Sequence, residues 1–337
     1  MVRKIEATTA QWLLEQPFDE PVWVVEEMLP VGLHLLVGPP KIGKSWLVLG
    51  LGLAVSLGKP FWGFATRQGA VLYLCLEDTF SRVQKRLWTI TDAANDSLVF
   101  TNVAETIAGG LADQLVGFRA DHGDLRLVII DTLQMVRAPS GESLYASDYG
   151  DLSKLKRVAD DCGIAIVVIH HTRKMGDSDA LNTVSGTTGI TDCADITLVL
   201  HRQARGSGDA TITITGRDVE FQELRIRFKD CRWELVEKTS AEELAERSVP
   251  EVVLQVLEFA RMQGDAWQGS ASALVDAAGV EGVKPAVLGK YLAQHRMFLE
   301  ERGVSYSVRH GRTGNVLTLE NVVVGEECEG CDGNLGI

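Results

Sequence analysis

Gly38-Pro39-Pro40-Lys41-Ile42-Gly43-Lys44-Ser45 fits the phosphate-loop pattern G-x-x-x-x-G-K-[ST] at every fixed position. The flanks fit as well. Leu33–Val37 is an apolar run that reads as a buried strand, and Ser45–Leu57 reads as a helix opening on the loop. In that setting the glycines let backbone approach phosphate, and successive N–H groups form an anion cup. The helix N-terminus adds partial positive charge. Lys44 is placed to reach the β- and γ-phosphates of ATP, and the Ser45 hydroxyl to hold Mg²⁺. The eight residues Gly38, Pro39, Pro40, Lys41, Ile42, Gly43, Lys44 and Ser45 are therefore the candidate nucleotide cradle.

Working outward, residues 33 to about 233 alternate between apolar runs and helical patterns. Val71–Leu76, Leu127–Ile130 and Ile164–Ile169 are continuously apolar, and Ile196–Leu200 is broken only by Thr197. Strands of that kind are covered on both faces, which points to a parallel α/β sheet. Ala210–Thr215 and Glu223–Phe228 alternate instead and predict an antiparallel addition at one edge. The sheet is expected to finish near Trp233–Val236.

Residues 1–30 read as an N-terminal arm, with Trp23, Val24, Val25, Met28 and Leu29 packing on the core. The core spans 31–236 and a charged linker 237–249. Helices are predicted at Glu251–Met262, Ala271–Ala278 and Lys284–His295. A hairpin follows, from Tyr306–Arg309 to Asn315–Leu319. Three helices and a hairpin give the order of a winged-helix domain over 250–320. The Gly/Glu-rich stretch 321–337 reads as a disordered tail.

Composition narrows the class. The 337 residues are 45% hydrophobic, enough for a large core plus a small domain. A net charge of −13 argues against general nucleic-acid affinity, though a local basic channel is compatible with it. No run reaches the roughly 18 apolar residues a bilayer span needs. Met1 to Gln16 carries Arg3 and Lys4 but no signal-type apolar core, so a cytoplasmic protein without a membrane partner is expected. Cys75, Cys162 and Cys193 lie in or beside apolar runs and read as packing residues. Cys328 and Cys331 form a lone C-x-x-C, and zinc needs four ligands.

In a parallel α/β sheet, ligands bind outside the carboxyl ends of the strands. Four polar groups directly follow strand runs. Asp131 ends Leu127–Ile130 and is the candidate Walker B acid, which orients Mg²⁺. Glu77 follows Val71–Leu76 and is the candidate general base, with Asp78 competing. His171, beside His170, ends the next strand, and a neutral imidazole there can sense the γ-phosphate. Adjacent strand residues point to opposite faces, so one histidine of the pair serves. Arg217, in Thr215-Gly216-Arg217-Asp218, is the candidate arginine finger toward a neighbouring subunit, with Arg202 second.

These motifs, together with Ser185-Gly186-Thr187 and Asp192-Cys193-Ala194-Asp195, resemble the RecA/DnaB-like P-loop ATPases over roughly residues 20–235. The resemblance is closest to the RepA-type hexameric replicative helicases. It implies that catalytic Glu77 is separate from the Walker B strand. It also implies that His171 stands where a sensor glutamine often does, and that Arg217 acts in trans. The family often has a lysine two residues before that arginine, where this chain has Thr215.

The resemblance further implies a homo-hexamer around single-stranded DNA. Gln134–Asp148, with Arg137 and Tyr145, and Thr172–Thr187, with Arg173 and Lys174, are the segments that would face a channel. Arg302, Arg309, His310, Arg312, Lys284 and Lys290 would let the C-terminal domain meet duplex DNA or a replication partner protein. The expected function is an ATP-hydrolysing DNA translocase. The alternatives are an ATP-dependent recombinase or helicase loader, and an ATP-switched DNA-binding regulator.

Overall fold

Strands that are apolar along their whole length can be buried on both faces, and here they build the centre of the molecule. In the computed structural model, residues 7–17, 21–137, 144–171, 188–202, 207–264, 266–311 and 314–321 are described. Two compact units divide near Ala241.

The first unit begins with α1 (Ala10–Glu15) and the short antiparallel pair β1 (Trp23–Val25) and β2 (Leu29–Pro30). Val24, Val25, Met28 and Leu29 are buried in the main core, so this arm packs on the sheet. The alternating part follows: β3 (Gly32–Gly38), α2 (Lys44–Leu57), β4 (Ala70–Cys75), α3 (Phe80–Ile90), β5 (Leu98–Thr101) and α4 (Leu111–Asp121). It continues with β6 (Leu125–Asp131), α5 (Leu144–Cys162), β7 (Ala165–His171), α6 (Thr188–Cys193) and β8 (Ile196–His201). Three antiparallel strands complete the sheet: β9 (Asp209–Gly216), β10 (Gln222–Lys229) and β11 (Arg232–Ser240).

The nine strands are ordered β11-β10-β9-β8-β3-β7-β6-β4-β5. From β8 to β5 every pairing is parallel. One core lies on each face. Leu36, Val48, Val71, Ile129 and Val167 belong to one, and Leu35, Leu72, Val128, Leu155 and Val168 to the other. Successive residues of a strand serve opposite cores, as a pleated strand requires. Helix α2 covers the first face with Leu47, Val48, Leu51 and Val55, and ends on Gly58 at φ 63.

The sheet runs past the Trp233–Val236 limit expected from sequence. β11 pairs with β10 as far as Gln222↔Ser240, and α7 (Ala241–Ser248) follows at once. Helix α5 begins inside the candidate channel segment Gln134–Asp148, so residues 144–148 are helical. Its buried Leu152, Leu155 and Ala159 continue the pattern that carries the helix.

The second unit contains α8 (Glu251–Gln263), β12 (Trp267–Gly269), α9 (Ala271–Ala277), α10 (Pro285–Gln294) and α11 (Arg296–Glu301). The hairpin β13 (Val304–Gly311) and β14 (Gly314–Asn321) closes it. Val253, Val256, Leu274, Leu288, Leu292 and Leu299 share its core with Leu317 and Leu319. Strand β12, not expected from sequence, pairs with β14 to make a third strand. Arg173, Lys174, Ser185, Gly186 and Thr187 lie outside the described residues, as do Arg312, the 322–337 stretch and its Cys328 and Cys331.

One buried carboxylate ties three elements together. Asp195 Oδ2 accepts from the Leu33 N–H at 2.9 Å and from Lys156 Nζ at 2.9 Å. Gly32, at φ 139, leaves room for it, since a Cβ there would meet Asp195 Oδ2 at 2.3 Å. Replacing Asp195 with Ala strands the buried Leu33 N–H, while Lys156 keeps Asp160 at 2.6 Å. Asp195→Ala should cost about 1–3 kcal/mol in denaturant unfolding. Asp195→Asn, which keeps an acceptor, should cost less.

Candidate active site

The parallel register brings four strand ends to one edge. Gly38 closes β3 and pairs with His171 at the end of β7, while Asp131 ends β6 opposite Cys75 of β4. The loop from Gly38 turns into α2 through Gly43, whose φ of 108 favours glycine, with Lys41 also left-handed at φ 65. The expected cradle, base, acid and histidine thus converge from β3, β4, β6 and β7. They line a cleft of about 360 Å³ bounded by Lys41, Gly43, Lys44, Ser45, Trp46, Glu77, Asp78, Arg82, Arg86, Asp131 and His171. A larger cleft, about 550 Å³, lies around Asp192, Asp195 and Arg217. It contains none of the loop residues, so the smaller cleft is the candidate site.

Lys44 is 4% exposed. Its ammonium donates to the carbonyls of Gly38 (2.7 Å) and Pro39 (2.9 Å) and lies 2.9 Å from His171 Nδ1. Burial lowers its pKa to about 8, against the opposing pull of Asp131 and Glu77. Burial and the Lys44 charge also lower the pKa of His171. A neutral His171 therefore accepts from Lys44 through Nδ1. His170 is set apart from this contact. Burial first, then the nearby Arg137 charge, lowers its pKa to about 4.

Asp131 is 5% exposed, and burial raises its pKa. Its carboxylate accepts from the Tyr73 hydroxyl at 2.8 Å and from the Ser45 hydroxyl. A desolvated carboxylate touching a hydroxyl at the mouth of an anion cup suits Mg²⁺. That ion takes few protein oxygens and completes its shell with water and phosphate. No cluster of three or more His, Cys, Asp or Glu exists for a metal among the described residues.

The two acidic candidates after β4 are separated by their partners. Asp78 is bound by Arg82 at 2.8 Å and Arg86 at 2.5 Å, with its side chain 10% exposed. Both Asp78 oxygens are thus engaged by guanidinium groups. Glu77 is 45% exposed, accepts from Thr132 Oγ1 at 2.8 Å and lies 4.0 Å from His171 Nε2.

Arg217 does not join the site of its own subunit. β9 runs antiparallel to β8, with Ile196 opposite Gly216, so its carboxyl end lies at the amino ends of the parallel strands. A residue that follows an apolar run reaches the site only where that strand is parallel to β3. Arg217 is exposed there. Its N–H donates to the Asp195 carbonyl (3.0 Å) and its guanidinium to the Asp192 carbonyl (3.2 Å). Arg202, the second candidate, instead supports the loop. It donates to the Ile42 carbonyl at 3.3 Å and stacks 5.4 Å over Trp233.

Sequence reasoning missed three contributors. Trp233 on β11 donates to the Gly43 carbonyl at 3.0 Å, with its ring 3.0 Å from where a Gly43 Cβ would stand. Nothing in the sequence links residues 190 positions apart. Tyr73 also went unread, because its hydroxyl sits within an apolar run. Thr132 was visible beside Asp131, but its contact with Glu77 was not.

This phosphate loop, opening α2 from the middle of a largely parallel sheet, defines a P-loop nucleotide-binding protein of RecA/DnaB-like fold. Residues 2–177 match the model of the AAA domain family AAA_25, and the chain belongs to that family. Among solved structures it is similar to the "ATPase Domain of G40P", at 15% identity and a TM-score of 0.51, over 61% of this chain and 85% of that one. It is also similar to a DnaB-like replicative helicase described with its interactions with primase. There the identity is 15% and the TM-score 0.51, over 64% of this chain and 58% of that one. At such identity the likeness is one of fold. No curated protein matches the chain.

The histidine environments set a pH dependence. The folded pKa of His170 is lowered to about 4 from 6.5, and so is that of His34, for which burial is again the first cause. The unfolded chain therefore binds protons first as the pH drops. Their neutral forms contribute stability that is fully present above about pH 6.5 and lost as pH falls toward about 4. Urea midpoints taken across that window should decline steadily, and His170→Asn should flatten the decline.

Proposed function

We propose that this chain is an ATP-hydrolysing DNA translocase, a ring-forming replicative helicase acting on single-stranded DNA. The observation that carries the proposal is a site divided between the two ends of the sheet. Cradle, acid, base and histidine meet at the carboxyl ends, while exposed Arg217 lies at the opposite end. An arginine so placed meets a phosphate only on another subunit, which supports a homo-oligomer with composite sites, such as a homo-hexamer.

Gly38–Ser45 hold the phosphates, with Lys44 leaving its carbonyl partners for the β- and γ-oxygens. Ser45 and, through water, Asp131 would hold Mg²⁺, which supplies neutralising charge on the phosphates when bound. Glu77 takes a proton from the attacking water as its oxygen bonds to the γ-phosphorus. The β–γ bridging oxygen leaves with its electron pair on ADP. His171, bridging Lys44 and Glu77, is the group that registers loss of the γ-phosphate. Arg217 of a neighbouring subunit stabilises the charge of the transition state.

The second unit, with helices followed by a hairpin, is read as a winged-helix-like module for a replication partner protein or duplex DNA. The domain limits are then an arm at 1–30, the ATPase core from 31 to the end of β11 at Ser240, a connector carrying α7 and the module at 250–320. No helix among the described residues is long and apolar enough to cross a membrane.

The test is ATP hydrolysis by the purified protein with and without single-stranded DNA, alongside its mass in solution. Strong stimulation with a hexamer-sized particle supports the proposal. No stimulation from a monomer favours a loader or a nucleotide-switched regulator instead. Lys44→Ala should abolish hydrolysis. Glu77→Gln should keep nucleotide binding and lose turnover, and normal turnover would remove it as the base. Arg217→Ala should be inactive alone but recover activity when mixed with Lys44→Ala, since each supplies what the other lacks. A mixture that exchanges subunits yet stays inactive would exclude composite sites.

A further inference from the structure

We infer that Thr132 is a positioning residue for hydrolysis: its hydroxyl fixes the Glu77 carboxylate in the pose that accepts the proton of the attacking water. The inference rests on Glu77 being the general base.

Glu77 lies in a turn beyond β4, where no strand pairing holds its side chain. Its backbone is fixed from both sides. The Leu76 N–H donates to the Asp131 carbonyl at 3.0 Å and the Asp78 N–H to the Cys75 carbonyl at 3.1 Å. The side chain has three rotatable bonds and is 45% exposed. A general base that samples many rotamers spends little time in line with a water on phosphorus.

Thr132 answers that need. It is 1% exposed and follows the acid Asp131, so it is as rigidly placed as the sheet itself. Its Oγ1 donates to Glu77 Oε1 at 2.8 Å, the oxygen that also faces His171 Nε2 at 4.0 Å. One carboxylate oxygen is thereby tied down. Oε2 has no hydrogen-bond partner among the described residues and remains to take the proton. The hydroxyl touches Glu77 and neither the phosphate cradle nor the Ser45 hydroxyl, so its effect belongs to turnover and not to nucleotide affinity.

The comparison that tests this is Thr132→Ser against Thr132→Ala in the full-length protein at saturating ATP. Both remove the methyl group, and only Ala removes the donor. Thr132→Ala should lower kcat by about 10- to 100-fold, the scale of a misplaced catalytic group. Thr132→Ser should stay near the parent rate, and nucleotide affinity should be unchanged in both. Equal rates in the two variants would overturn the inference, because packing alone would then account for the residue. Single-turnover rates in a Glu77→Ala background provide the second arm. There Thr132→Ala should cause no further loss, and a full further loss would show that it acts elsewhere. An active Glu77→Gln removes both the base and this inference. An inactive Glu77→Gln with a fully active Thr132→Ala removes this inference alone.

Discussion

A lysine ammonium stripped of water must find compensation, and the site is organised around that requirement. Lys44 is nearly inaccessible, and burial lowers its pKa to about 8. What holds it is two main-chain carbonyls at the end of β3 and a neutral imidazole at the end of β7. That arrangement exists only because β3 and β7 are parallel and in register, with Gly38 beside His171. The buried Asp131, kept by two hydroxyl donors, is the matching negative charge one strand away. The ammonium and the carboxylate thus present opposite charges to the same cleft.

The antiparallel extension has two consequences for this edge. Trp233 and Arg202 hold the carbonyls of Gly43 and Ile42, so the loop is braced from behind by β11 and the end of β8. The same extension sends Arg217 to the opposite end of the sheet. A loop braced by one strand of the extension and an arginine displayed by another are thus parts of a single rigid sheet.

The acidic pair after β4 illustrates how partners, more than residue type, assign chemistry. Glu77 and Asp78 are adjacent and both face a cleft rich in positive charge. Two arginines from α3 neutralise Asp78, and one hydroxyl orients Glu77 while leaving it accessible. The acid that is least satisfied by the protein is the one available to water.

The sequence by itself determined the phosphate loop, the parallel core and the polar candidates Glu77, Asp131 and His171 at the strand ends. Those signals are local: a glycine-lysine spacing, apolar runs, and a polar residue directly after each run. It also marked the buried arm through Val24, Val25 and Met28. Tertiary structure alone decided which of Glu77 and Asp78 is free and which histidine meets Lys44. It alone revealed the Thr132 and Trp233 contacts. It also moved Arg217 away from the other site residues, because strand direction is a property of pairing. An apolar run reads the same whether its strand lies parallel or antiparallel to its neighbour, and only the pairing of β9 with β8 fixed which end of the sheet Arg217 occupies.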